Sequence, residues 1–184
     1  MDDTTLLKRF IDGEDSALTH LVEKYQKELY GFIYRHVNNR ADAEDLTQKV
    51  FVNVFLKAEQ FGERSSFKTW LYQIAINQCK NHYRSRDRQR LDDVEWDSLD
   101  WSVDEDYATE FEQAQQQRLL KEAVDKLPTK QRMTVNLRLY QDCTFPEIAE
   151  IMAASVGTAK AHYHQAVTSL RKTLQKEEYE FNQL

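Results

Sequence analysis

Glycine and proline are scarce in this chain: four of one and two of the other among 184 residues. A sheet built on tight turns needs more of both. Their shortage, with long runs rich in Leu, Ala, Glu, Lys and Gln, argues for helices. Cysteine is equally sparse. Cys79 and Cys143 lie far apart in sequence, which excludes a disulfide scaffold and leaves two free thiols in a reducing cytoplasm as the expectation. No apolar run approaches the roughly 20 residues needed to span a bilayer. The N-terminus, MDDTTLLKRF, is charged and carries no apolar signal core, so a soluble, cytoplasmic protein with no membrane insertion is expected. Neither a Gly-rich phosphate loop nor an HExxH motif occurs, and no His stands at a useful spacing from Asp42, Glu44 and Asp45. No catalytic residue, metal or cofactor is therefore expected, and an enzyme is the least favoured class.

What the chain does have is an uneven distribution of charge. The formal net charge is −6. Residues 76–90 are net +4, while 91–114 carry ten acids and no base. The remainder is close to balanced, so the acidic total conceals a basic spot followed at once by a polyanion. A run of like charge with no helical stripe reads as an extended or loosely ordered linker. That divides the chain into an N-terminal domain over 1–90, an acidic linker over 91–114 and a C-terminal domain over 115–184.

Apolar periodicity predicts an all-α fold for both parts. A short helix over Thr4–Ile11 is ended by Gly13. Asp15 or Ser16 can cap a second helix with Leu18, Leu21, Val22, Tyr25, Leu29, Phe32 and Ile33 on one stripe. A third places Ala43, Leu46, Val50, Phe51, Val54 and Phe55 at the same spacing. After the polar loop GERSS, Ser65 or Ser66 can cap a fourth helix that buries Phe67, Trp70, Leu71, Ile74 and Ala75. Beyond the linker, Leu119, Leu120, Ala123, Val124 and Leu127 form a stripe that Pro128 ends. Met133, Leu137 and Tyr140 form the next.

Residues 144–174 are the most informative. Thr144 and Glu147 have capping-box spacing just before Phe145, Ile148, Ala149 and Met152 repeat as one helical face. A short break follows, and Ser155 can cap another helix with Val156, Ala159, Tyr163, Ala166 and Leu170 inward. Two short helices with a tight junction outline a helix-turn-helix. The outward face of the second carries Thr158, Lys160, Ala161, His162, His164, Gln165, Thr168 and Ser169, with four bases and no acid from Thr158 to Lys176. Short donors at the helix start suit phosphates, and longer side chains beyond suit base edges in a major groove. His162 and His164 on a helix point their rings in different directions, which argues against a metal. In the first domain, single-stranded DNA would need aromatic surface for bases and positive charge for the backbone. Trp70 and Tyr72 stand beside Lys68, and Asn77, Lys80, Asn81 and Arg84 recur along one side.

Two stretches together resemble the extracytoplasmic-function class of bacterial sigma factors. DAEDLTQKVFVNVF followed by FKTWLYQIAINQCKNHYRSR looks like their promoter-melting region, and LPTKQRMTVNLRLYQDCTFPEIAEIM with SVGTAKAHYHQA looks like their upstream-element reader. The resemblance implies core RNA polymerase and promoter DNA as partners. It implies that Asp42, Asp45, Gln48, Lys49 and Asn53 grip the polymerase. Phe61, Ser65, Ser66, Lys68, Tyr72, Asn77, Lys80, Asn81 and Arg84 would hold and melt the downstream promoter element. Ser155, Thr158, Lys160, His162, His164 and Gln165 would contact the upstream element. An anti-sigma factor is implied as a further partner. The family commonly has an acid or amide where this chain has Lys49, a Ser at Ala161 and an Arg at Gln165. Gln pairs best with adenine and Arg with guanine, so the preferred promoter is expected to be shifted. In such a protein the linker threads the polymerase interior and mimics nucleic acid. The alternative reading is a free-standing helix-turn-helix regulator.

Overall fold

The computed structural model describes residues 2–87 and 119–181. The acidic linker lies outside the described residues. Within them the structure is helical and contains no strand. Its helices are α1 (Asp3–Ile11), α2 (Asp15–Val37), α3 (Arg40–Lys57), a short 3-10 turn (Ala58–Gln60), α4 (Phe67–Asp87), α5 (119–125), α6 (Thr129–Leu139), α7 (Phe145–Ile151) and α8 (Val156–Phe181).

Local chemistry sets the ends. Gly13 closes α1 with φ +99°, a left-handed conformation that costs glycine nothing. Asn38, also left-handed, ends α2, and Asn39 at once caps α3 by accepting from the backbone N–H of Asp42 at 3.0 Å. The cap of α2 falls one residue before the expected Asp15 or Ser16, on Glu14, whose side chain caps nothing because Arg9 and Ser16 both donate to it. Ser66 Oγ accepts from the N–H of Thr69 at 3.1 Å and opens α4 as expected. The capping box at Thr144 and Glu147 forms in both directions.

The N-terminal bundle packs α1, α2, α3 and α4 around Leu7, Leu21, Leu29, Phe32, Ile33, Val50, Val54, Phe67 and Leu71, all buried. Asp3 on α1 ties the bundle by accepting from Lys24 at 2.6 Å and from the hydroxyl of Tyr25 on α2. Four expected core positions are not core, Leu120 on α5 among them. Phe55 is 56 % exposed because the stripe through Ala43, Leu46, Val50 and Val54 already fills the bundle, leaving Phe55 one turn-edge away on solvent with its ring near Phe10. Val156 faces solvent at the first turn of α8. Tyr140 does so at the end of α6, where its ring lies under the Arg35 guanidinium.

In the C-terminal part, α5, the outer side of α6 and α8 bury Ala123, Val124, Leu127, Val135, Ala166 and Leu170 as a small core of their own. The remaining buried residues of this part, Met133, Leu137, Cys143, Ile148, Ala149 and Ile151, run without a break into the N-terminal cluster. On that inner side the two parts share one continuous core, where α7 packs directly on α4.

Candidate polymerase and nucleic-acid interfaces

On α3, Asp45, Gln48 and Lys49 are exposed and Asp42 and Asn53 half-buried, all on the side away from the bundle. Lys49 Nζ pairs with Asp45 at 2.6 Å, one turn away, and Asn53 donates to the Lys49 carbonyl at 2.8 Å. Asp42 meets His82 of α4 at 3.4 Å, which ties the base of this face to α4. Beside Gln48 lies an open groove of about 530 Å³ lined by Val22, Phe51, Val52 and Phe55. With the exposed Leu56 these make a contiguous apolar edge. Patches of this kind on a soluble surface mark contact with another macromolecule.

The residues expected at single-stranded DNA separate into two groups. Asn77, Asn81 and Arg84 are exposed along one side of α4, with Lys80 half-buried among them. Burial, then the neighbouring Arg84 and Lys130, hold the Lys80 ammonium below its ordinary pKa. In the loop before α4, Phe61 and Ser65 are half-buried and Ser66 exposed, and the Phe61 ring packs on Trp70 at 5.3 Å. Lys68 and Tyr72 differ. Tyr72 is fully buried and donates its hydroxyl to Gln141 Oε1, while Lys68 Nζ donates to the Gln141 backbone carbonyl at 2.6 Å. Expected on an open surface, Lys68 is half-buried and bonded to the C-terminal part, and Tyr72 is buried between that part and Phe32 of α2, whose ring it meets at 5.0 Å. Tyr72 heads a buried stripe with Ile76, Cys79 and Tyr83 at helical spacing, whereas spacing along α4 carries no sign of the partner of Lys68.

The helix-turn-helix is formed by α7 and α8. Between them the chain turns through Ala153 at φ 53°, with the N–H of Ala154 donating to the Ala149 carbonyl at 2.8 Å. Ser155 caps α8 by accepting from the N–H of Thr158 at 3.0 Å, and the two hydroxyls meet at 2.8 Å. Lys160, Ala161, His164 and Gln165 are exposed in its first turns. His162 is half-buried, and its Nδ1 has no hydrogen-bond partner among the described residues. Behind this face the Phe145 ring lies between Lys160 at 6.0 Å and Arg138 at 5.3 Å. Among the described residues, no cluster of three or more His, Cys, Asp or Glu is arranged for a metal. No described helix is long and apolar enough to cross a membrane. Gln141 and Gln131, which touch the candidate readers, were not found from sequence; both are polar residues whose partners lie far away in the chain.

A capped, solvent-facing second helix of a helix-turn-helix, docked on a bundle whose last helix presents amides and cations, defines a two-part helical DNA-binding protein. The sigma-70 region 2 family matches residues 21–89 and the sigma-70 region 4 family residues 117–170. The chain is 30% identical to the RNA polymerase sigma-H factor of Pseudomonas aeruginosa over 182 residues, covering 94% of each. It is 28% identical to the ECF RNA polymerase sigma-E factor of Haemophilus influenzae over 183 residues, covering 95% of this chain and 96% of the relative. Its fold is similar to that of the sigma factor RpoE in complex with the anti-sigma factor NepR from Bartonella quintana, with a TM-score of 0.68 at 23% identity, covering 85% of this chain and 96% of that one. The protein belongs to the ECF sigma factors. It directs core RNA polymerase to particular promoters, and its partners are that polymerase and promoter DNA.

Proposed function

We propose a division of this work among named residues. Residues 1–90 bind core polymerase through Asp42, Asp45, Gln48, Lys49 and Asn53. They hold the opened downstream element through Phe61, Ser65, Ser66, Lys68, Tyr72, Asn77, Lys80, Asn81 and Arg84. Residues 115–184 read the upstream element, with Ser155 and Thr158 on phosphates and Lys160, His162, His164 and Gln165 towards bases. The acidic segment 91–114 spans the two and lies against protein rather than DNA. The protein works in the cytoplasm, catalyses no reaction itself, and is held inactive by an anti-sigma factor, as the relative of similar fold from Bartonella quintana is found bound to one.

The observation that carries this reading is the start of α8, where two hydroxyls crown a helix terminus and the candidate readers follow in open solvent. Helix N-termini attract phosphate, and the side chains after the first turn reach base edges. The apolar edge beside Gln48 supports the polymerase assignment. Run-off transcription with core polymerase tests the division. Lys160→Ala is expected to lower output from a promoter carrying both elements without loosening polymerase binding. Gln48→Ala is expected to loosen polymerase binding itself. Tight, specific promoter binding by the purified chain alone would instead favour a free-standing regulator.

A further inference from the structure

The stretch from Phe61 to Ser66, proposed to hold the opened downstream element, is braced by the first helix of the chain. α1 lies against the 3-10 turn that enters this stretch and against α4, which leaves it. Between those two contacts, Lys8 Nζ of α1 pairs with the Glu63 carboxylate at 2.8 Å. Among the described residues, 62–65 make no backbone–backbone hydrogen bond, so this ion pair is the polar contact that fixes them. Glu63 also stands in the left-handed region at φ 53°, a conformation that a residue with a side chain disfavours. α1 is itself anchored near both ends. Asp3 accepts from Lys24 and from the Tyr25 hydroxyl, and the Tyr25 ring meets Phe67, the first residue of α4, at 5.6 Å. The Phe10 ring meets Phe55 of α3 at 5.5 Å.

We propose that Lys8 is a positioning residue for promoter opening: through Glu63 it sets the loop that holds the opened strand, and Lys8 itself touches no DNA. The inference rests on the proposed DNA role of Phe61, Ser65 and Ser66. Pairing does two things at once. It offsets part of the strain of the left-handed turn, and it cancels a carboxylate that would otherwise repel phosphates from the loop. An exposed ion pair shifts an equilibrium by only about twofold to fivefold. The strain of one left-handed residue is of similar or larger size, so the turn relaxes once the pair is lost. A preset loop loses less conformational freedom when the strand arrives, and that favours opening. Neither residue belongs to the polymerase face of α3 or to the helix-turn-helix, so the effect falls on opening alone.

The test uses the full chain with saturating core polymerase and follows the rate of promoter opening by permanganate reactivity of unpaired thymines. Lys8→Ala and Glu63→Gln are each expected to slow opening by about threefold. Lys8→Glu, which sets two carboxylates against each other, is expected to slow it by about tenfold, and Lys8→Arg to open as wild type. Combining Lys8→Glu with Glu63→Lys should recover most of the rate, a non-additivity that independent sites do not show. Raising ionic strength should bring Lys8→Ala and wild type together, because salt screens an exposed pair. Co-purification with core polymerase should be unchanged in every variant, which establishes that they fold. Faster opening by Glu63→Gln, or no recovery in the charge swap, overturns the brace. Phe61→Ala keeps the two readings apart. Slow opening there beside normal opening by Lys8→Glu removes Lys8 alone, whereas normal opening by Phe61→Ala removes the loop from the DNA site and the role of Lys8 with it.

Discussion

Gln131 on α6 donates its side-chain amide to the Oε1 of Gln165 on α8 at 3.3 Å, so a residue outside the reading helix orients one within it. That contact uses one lone pair of the Gln165 oxygen and none of its amide donors. A Gln that offers both groups to one base favours adenine, whereas Arg favours guanine. Gln165→Arg is expected to change the preferred upstream base from adenine to guanine, with discrimination of about 1–3 kcal/mol, read by transcription from a promoter library. Gln131→Ala should weaken the adenine preference by less than that, because an exposed hydrogen bond contributes only about 1 kcal/mol or less.

Asn77 and Arg84 face solvent on α4, clear of both the polymerase side of α3 and the loop that carries Gln141. Replacing both with Ala is expected to abolish promoter opening, measured by permanganate reactivity of unpaired thymines, while co-purification with core polymerase is unchanged. Normal opening by the double variant would remove these residues from the proposed site.

His36 at the end of α2 is completely buried, beside Phe32 and under the seam with α6. Burial, reinforced by the nearby Arg132 and Arg35 and only partly opposed by the Phe32 carbonyl, pushes its pKa down to about 3. The unfolded chain takes up a proton near pH 6.5 that the folded chain refuses, so stability is full above that pH and declines as pH falls toward 3. Urea unfolding at pH 7 and pH 5 should differ by about 2 kcal/mol from this residue. His36→Gln should flatten the difference.

Ala153 occupies the left-handed turn of the helix-turn-helix, where a side chain is strained. Ala153→Gly is expected to stabilise the protein by about 0.5–1 kcal/mol, visible as a higher urea midpoint at constant slope, with promoter choice unaltered.

Much of this architecture was legible in the sequence because its signals are local. Gly13, the Thr144–Glu147 box and the Ser155 cap each act within one turn of the chain, and each forms as its spacing foretells. The stripes of α2 and α4 give the N-terminal core for the same reason. Lys68 was expected in open solvent because its partner, Gln141, lies 73 residues further along the chain, whereas the burial of Tyr72 was legible in its spacing from Ile76, Cys79 and Tyr83. A helical stripe states which residues share a face, not what arrives from far along the chain to lie on it. Phe55 illustrates the converse: an apolar residue at helical spacing that the bundle leaves outside.

The seam between the two halves sets cation against cation where Lys80 feels Lys130 across it, and Arg132 helps keep the His36 ring neutral there. Dissolved ions, which at 0.1 M screen charges over about 10 Å, relax that repulsion and so favour the closed chain. The same ions weaken any grip on phosphates by reducing the gain from counterion release. Dilute buffer should therefore both loosen the docking of the two halves and tighten any grip on phosphates.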